Sequence, residues 1–324
     1  MQKKAKEDGV EYRAGFVALL GRPNVGKSTL TNALLGEKVS IVTPKPQTTR
    51  TRIYGILNLD HAQIVLVDTP GVHTRKTPLN RALCKTASSA AMDSDITVVM
   101  VEAFRHSDGT VRISEEDRWV MQMAQKGDGI CLLAINKIDV LPQKDLLLPL
   151  ISQYAEMAQF DAIIPISART GDGLDFLLEE ITKRLQPGPA LFPRDMHTDQ
   201  AERVLCAEMV REQLLLQMQE EIPHSAMVVI ETFEDERDSK DEGMCHLEGR
   251  IIVERDSQKA MVIGQGGQRI KSLSQAARLE IEKLLGCKVF LRLTVHVDKD
   301  WTTSERAVRS YGFGTSSGDG EDGQ

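Results

Sequence analysis

Between residues 15 and 186 the chain alternates five short apolar runs with five longer segments of helical period, and this alternation limits the fold more than any other feature. The runs are Phe16 to Leu20, Ile64 to Val67, Ile96 to Val101, Ile130 to Ile135 and Ala162 to Ile166. Each is apolar along its length, as a strand is when both of its faces are covered. The periodic segments are Lys27 to Leu35, Leu79 to Met92, Glu115 to Gln125, Lys144 to Gln159 and Leu174 to Leu185. Strand and helix in turn predict an α/β domain with a mostly parallel sheet. One antiparallel strand is expected, because Arg52 to Leu59 and Ala62 to Val67 are separated by little more than Asp60-His61, room for a hairpin only.

The pattern stops at Gln186-Pro187-Gly188-Pro189-Ala190-Leu191-Phe192-Pro193, where three prolines and a glycine exclude a continuing helix or central strand. Beyond it a smaller α+β block is predicted. It has a helix from about Gln200 to Gln219, strands around Ala226 to Phe233 and Cys245 to Val253, a helix from about Gln268 to Leu285 and a strand from Lys288 to Val297. The charged run 234–242 reads as a solvated hairpin loop. The expected division is an extension 1–11, a first domain 12–186, a linker 187–198, a second domain 199–311 and a flexible acidic tail 312–324.

A net charge of -7 gives the 324-residue chain no global attraction for polyanions, so such a partner needs a local patch. Five widely spaced cysteines read as reduced thiols of a cytoplasmic protein rather than zinc ligands. No signal peptide is read at the N-terminus, and no apolar run is long enough to span a bilayer.

Gly21-Arg22-Pro23-Asn24-Val25-Gly26-Lys27-Ser28, followed by Thr29, matches G-x-x-x-x-G-K-[ST] between a strand and a helix. There the backbone N–H groups can surround phosphates, Lys27 can reach the β and γ phosphates, and the Ser28 hydroxyl can ligate Mg²⁺. Asp68-Thr69-Pro70-Gly71 ends the second apolar run, placing the Asp68 carboxylate where it can hold Mg²⁺ through water and the Gly71 N–H where it can meet the γ-phosphate. Asn136-Lys137-Ile138-Asp139 selects the base, since the Asp139 carboxylate can accept both the N1–H and the N2 amino group of guanine. Adenine has no such donor pair, and an unpaired buried carboxylate is costly. Ser167-Ala168-Arg169 suits the loop that supports the base through backbone N–H groups. Four motifs in order, each after an apolar strand, point to a site for GTP and GDP.

These motifs resemble the Ras-like P-loop GTPases, and together with Gln47-Thr48-Thr49-Arg50 they resemble the bacterial Era family. The resemblance implies that Gln47, Thr48, Thr49, Arg50 and Thr51 form the first switch, with Thr49, or else Thr48, completing the Mg²⁺ shell. It implies catalytic roles for Asn24, Lys27, Thr49 and Gly71. Where many relatives carry a water-positioning glutamine, this chain has Val72, which cannot orient water. Relatives with asparagine at the place of Asn24 bind K⁺ beside the phosphates, so K⁺ is the expected second cation. His73 reads as a switch-loop side chain with no proton role.

In the second domain, Val262-Ile263-Gly264-Gln265-Gly266-Gly267-Gln268-Arg269-Ile270-Lys271 contains a G-x-x-G loop before a helix, a backbone clamp for single-stranded nucleic acid. From Arg250 to Tyr311 there are twelve Lys and Arg against seven Asp and Glu, a local positive excess. Arg269, Lys271 and Arg278 are the phosphate-contact candidates, and Val262, Ile263 and Ile270 the apolar groove. The element order resembles a type II KH domain. Gln265 stands where the family often has lysine, which removes one phosphate contact.

The resemblance covers about residues 12 to 311. It implies a monomeric GTP-hydrolysing switch that binds the 3′ end of 16S rRNA and assists 30S subunit assembly, with peripheral contact at the inner membrane as a further expectation. The alternatives are a membrane-associated signalling or cell-cycle GTPase whose second domain binds protein, and an RNA-binding scaffold that holds nucleotide without turnover.

Overall fold

The computed structural model describes residues 11–45, 47–72, 77–103, 113–126, 129–141, 144–218, 222–237 and 243–313. His73, the extension up to residue 10 and the tail from residue 314 lie outside them. The chain forms two compact units, one of residues 1–38, 52–69 and 87–199, the other of residues 39–51, 70–86 and 200–324. Two segments expected in the first domain thus pack with the second, and one of them carries all five first-switch candidates.

In chain order the first part holds β1 (Arg13–Leu20), α1 (Lys27–Leu35), β2 (Ile53–Asn58), β3 (Ala62–Asp68), α2 (Pro78–Met92), β4 (Ile96–Glu102), α3 (Glu115–Ala124), β5 (Ile130–Asn136), α4 (Leu147–Met157), β6 (Ala162–Pro165) and α5 (Leu174–Arg184). The six strands form one sheet in the order β2-β3-β1-β4-β5-β6. All neighbours are parallel except β2 and β3, the expected hairpin, in which Ile53 lies opposite Asp68. Every residue of β3 is buried, which explains its unbroken apolar run. The segment predicted as a helix over 144–159 begins as a 3-10 turn, Lys144–Leu146, before α4. Pro149 is the reason: without an N–H it is tolerated only in the first turn of an α-helix, so α4 starts just before it.

The proline-rich connection is fixed rather than loose. The Ile56 N–H donates to the His197 carbonyl at 2.8 Å, and Thr198 bridges Gly55. The buried Gln63 side chain accepts from the N–H groups of Leu191 (2.7 Å) and Phe192 (2.9 Å). This segment covers the open edge of β2, whose backbone groups need partners.

The second unit contains α6 (Glu202–Gln217), α7 (Ile222–Ser225), β7 (Met227–Asp235), β8 (Met244–Val253), α8 (Asp256–Ile263), α9 (Gln268–Leu285), β9 (Lys288–Val297) and α10 (Glu305–Ser310). Its sheet runs β7-β8-β9, the first pair antiparallel and the second parallel. Side chains of α6 and α9, among them Met209, Val210, Leu273 and Ile281, close over Val228, Leu247, Ile251 and Val289. A separate cluster joins Trp301, Val308 and Phe313 to Ile252, Leu79 and Leu83. Segment 39–51 is anchored in this unit as well: Ile41 enters the α6–α9 core, the Val42 N–H donates to Glu212 at 3.2 Å, and Arg50 Nη1 donates to the Ala226 carbonyl at 2.7 Å. The short helices α7 and α10 have too few residues for a periodic signal and add to the elements expected from the sequence.

Candidate functional site

The nucleotide-site candidates of the first unit meet at the carboxyl ends of β1, β3, β5 and β6, where open α/β sheets bind ligands. The loop between β1 and α1 is shaped by its glycines. At Gly21 a Cβ would lie 2.7 Å from the Met100 carbonyl oxygen, and Gly26 has φ 104° with Asn136 Nδ2 filling the place a Cβ would need. Asn24 also has a positive φ, 65°, a conformation asparagine tolerates better than most residues. The chain therefore turns back on itself and enters α1 at Lys27.

Lys27 is buried and its Nζ donates to the carbonyls of Gly21 (3.0 Å) and Arg22 (3.1 Å). Burial pushes its ammonium down to about 8, with Asp68 pulling upward and Arg22 adding to the drop. Ser28 Oγ donates to Asp68 Oδ2 at 2.7 Å, so a hydroxyl and a carboxylate from two elements converge. Hard oxygen donors so placed fit Mg²⁺. Thr69 fixes the end of β3, its hydroxyl donating to the Leu19 carbonyl at 2.6 Å.

The base-recognition residues form a linked set. Asn136 Nδ2 donates to the Val25 carbonyl at 2.6 Å, while its Oδ1 accepts from the Ala168 N–H at 2.9 Å, which ties the phosphate loop to the base loop. Ser167 Oγ donates to Asp139 Oδ1 at 2.6 Å, and Arg169 pairs with Oδ2. The Ser167 hydrogen bond, helped by Arg169, holds the Asp139 carboxyl below its ordinary range despite partial desolvation. It is ionised at neutral pH, as acceptance of two guanine donors requires. Arg169 is mostly exposed and can leave when a base arrives.

Sequence reasoning missed Glu102. At the end of β4 its two oxygens pair with Arg22 Nη2 and Lys137 Nζ, both at 2.8 Å, so one carboxylate braces a phosphate-loop residue and a base-loop residue. Arg22 Nε further meets the buried Asp117 at 3.3 Å. The available signal was position alone, an acid at the carboxyl end of a parallel strand.

The remaining candidates lie in the second unit. Gln47 has φ 62° and donates to Asn80 Oδ1 at 2.7 Å; Thr48 donates to the Lys45 carbonyl at 2.7 Å, and its own carbonyl accepts from Arg211. Thr49, Arg50 and Val72 are buried, Thr51 is half-buried, and Pro70 and Gly71 are buried. In the G-x-x-G loop, Gly264, Gly266 and Gly267 all have positive φ, and no atom lies within 4 Å of a Cβ built on Gly266 or Gly267. Gln265 and Arg269 are exposed there. Val262 is fully buried in the α6–α9 core, so its side chain supports the loop, whereas Ile263 and Ile270 are half-buried and border the surface. Lys271 and Arg278, seven residues apart on α9, share a helix face, while Arg269 lies on another. Phe290 is 52% exposed beside His246, at 5.6 Å between ring centroids.

Comparison with known proteins places the chain in a family. A family described as 50S ribosome-binding GTPase matches residues 16–137, and the KH domain family matches residues 221–302. GTPase Era of Syntrophus aciditrophicus (strain SB) is 43% identical over 304 residues, covering 94% of this chain and 96% of that protein. GTPase Era of Geobacter metallireducens is 42% identical over 93% of this chain and 98% of its own. Among solved structures, Era in complex with MgGDPNP and nucleotides 1506-1542 of 16S ribosomal RNA superposes with a TM-score of 0.86 at 37% identity, over 94% of this chain and 100% of that one. A variant of Aquifex aeolicus Era bound to GDP.AlF4- gives the same TM-score, identity and coverage. Matched to these relatives over more than nine-tenths of its length, this protein belongs to the Era family of GTPases.

Proposed function

We propose that this GTPase couples its nucleotide cycle to binding the 3′ end of 16S rRNA and so assists 30S subunit assembly. The observation that carries the reading is the ionised Asp139 at the base site in a chain whose other unit presents an open, glycine-built G-x-x-G loop beside basic α9. That a relative matched over 94% of this chain was crystallised with those RNA nucleotides supports it.

In the mechanism, the loop from Gly21 to Ser28 directs N–H groups at the phosphates, Lys27 exchanges its carbonyl contacts for phosphate oxygens, and Asp139 selects guanine. Ser28, Asp68 and, with triphosphate present, Thr49 would hold Mg²⁺, which supplies charge neutralisation at the β and γ oxygens. The Gly71 N–H would meet the γ-phosphate. The buried, apolar Val72 cannot orient water. Asn24 is exposed in the phosphate loop and suits a K⁺ ligand, giving the charge that an arginine finger gives elsewhere. Segment 39–51 carries both Thr49 and the bonds to Arg211, Glu212 and Ala226, so a change in its conformation acts directly on α6.

In the second unit, Gln265, Arg269, Lys271 and Arg278 would line the RNA backbone, with Ile263 and Ile270 under the bases. The protein is expected to work as a monomer in the cytoplasm, with any contact at the inner membrane peripheral; among the described residues no helix is long and apolar enough to cross a membrane. Two assays on one preparation test the reading. A labelled oligonucleotide of the 16S 3′ end is expected to bind with salt-sensitive affinity, and phosphate release from GTP to be faster in K⁺ than in Na⁺ and lost in Lys27→Ala. RNA binding absent at low salt would leave a protein-binding GTPase instead, and equal rates in the two salts would remove K⁺.

A further inference from the structure

Glu102 lies opposite Asn136 in the parallel ladder of β4 and β5, and the Ala103 N–H donates to the Asn136 carbonyl at 2.8 Å. Past that pair the chain leaves the sheet at Lys137, whose φ is 66° and ψ 35°. Lysine is uncommon in this left-handed region, because its Cβ crowds the following carbonyl oxygen, and such a backbone persists where its surroundings hold it. Lys137 opens the 3-10 turn Ile138–Val140, which carries Asp139. The Ile138 N–H donates to the Ile166 carbonyl at 3.2 Å, and the Val140 N–H to the Lys137 carbonyl at 3.1 Å. Glu102 Oε1 supplies the side-chain restraint, accepting from the Lys137 ammonium at 2.8 Å.

The other Glu102 oxygen accepts from Arg22 Nη2 at 2.8 Å, in the phosphate loop. The three side chains are 20% exposed at Glu102, 24% at Arg22 and 33% at Lys137, so these pairs are screened less than pairs in open water. The two cations do not depend on Glu102 equally. Arg22 Nε also meets the buried Asp117 of α3 at 3.3 Å, whereas among the described residues Glu102 alone bonds the Lys137 ammonium. Loss of the Glu102 carboxylate leaves Arg22 with one anchor and Lys137 with none of its present ones.

We propose that Glu102 is a positioning residue for guanine selection: through Lys137 it fixes the turn that aims Asp139 at the base, and through Arg22 it keeps that turn in register with the phosphate loop. The proposal rests on the reading of Asp139 as the guanine acceptor. Guanine offers two donors, N1–H and the N2 amino group, and both Asp139 oxygens must be in place to accept them. Hypoxanthine offers N1–H alone. A displaced carboxylate therefore loses more with guanine than with hypoxanthine, so the ratio of GDP to inosine diphosphate affinity reports the aim of Asp139 rather than the folded fraction.

Competition of each diphosphate, with Mg²⁺, against a fluorescent guanine nucleotide on the full chain measures that ratio. The unaltered protein is expected to prefer GDP by about tenfold or more, one charge-assisted hydrogen bond's worth. In Glu102→Ala, GDP affinity is expected to fall about tenfold and inosine diphosphate affinity about threefold, lowering the ratio about threefold. Glu102→Gln, which keeps the volume and one acceptor oxygen, is expected to show the same loss at smaller size and carries the test if the alanine variant does not fold. In a Lys137→Ala background, Glu102→Ala is expected to lower the ratio no further, as a residue acting through Lys137 must. Asp139→Asn is expected to erase the preference. A preference that survives Asp139→Asn would overturn the base reading and this proposal with it. Erasure there, combined with an unchanged ratio in the Glu102 variants or a further fall in the Lys137→Ala background, would overturn this proposal alone.

Discussion

Asp139 stays ionised because Ser167 donates to it and Arg169 pairs with it, so each guanine donor that it accepts under the proposed reading would make a charge-assisted hydrogen bond. Asp139→Asn replaces an acceptor pair with one acceptor and one donor, so GDP affinity is expected to fall about a hundredfold, about 3 kcal/mol, while xanthosine diphosphate gains, as competition against a fluorescent nucleotide would show. Lys27 sets a pH limit. Its ammonium titrates near 8 in the free protein, and bound phosphates favour the charged form. Nucleotide affinity should be level below that pH and weaken toward about pH 9, with proton uptake on binding visible in buffers of different ionisation enthalpy. The same burial makes the charged lysine a stability cost below about 8 that fades as pH rises toward 10.5, where the unfolded side chain also loses its proton. The thiols shift in the opposite direction. Burial raises Cys131 to about 11 and Cys206 and Cys245 to about 12, and Cys245 Sγ lies 3.4 Å from the buried Cys287. At about pH 8 only the half-buried Cys84 should react with a thiol reagent in the native protein, and all five on unfolding.

The two glycine loops differ in how closely their surroundings enclose them. The loop before α1 is enclosed: Asn136 grips the Val25 carbonyl and leaves no room at Gly26 for a side chain. The Gly264–Gly267 loop is open at Gly266 and Gly267, so a nucleic-acid backbone can approach it closely. Because Gln265 is exposed there, Gln265→Lys should add one phosphate contact and steepen the salt dependence of RNA binding by about 0.7 in log–log slope, measured by fluorescence anisotropy across salt concentrations. An unchanged slope would mean that the backbone does not pass this position. Both loops were legible in the sequence, because glycine spacing next to an apolar strand or helix signals local geometry. Glu102 was not, since its role depends on Arg22 and Lys137, 80 and 35 residues away.

Each of the two units has its own core and one of the two tryptophans, Trp119 on α3 and Trp301 in the cluster with α10. Single-tryptophan variants should therefore report two thermal transitions, with GDP and Mg²⁺ raising the one seen by Trp119 by several degrees at saturating ligand. A shift of equal size at Trp301 would show one cooperative unit instead. The strand and helix order, the parallel sheet with its hairpin and the positions of the two glycine loops could all be read before any fold was known, because each is written in residues close together in the chain. It took the folded chain to reveal that segment 39–51 packs with α6, that Val262 is core, and that the proline-rich connection covers the edge of β2. Those outcomes depend on which buried surfaces and unsatisfied polar groups meet across long separations, and no local pattern records that.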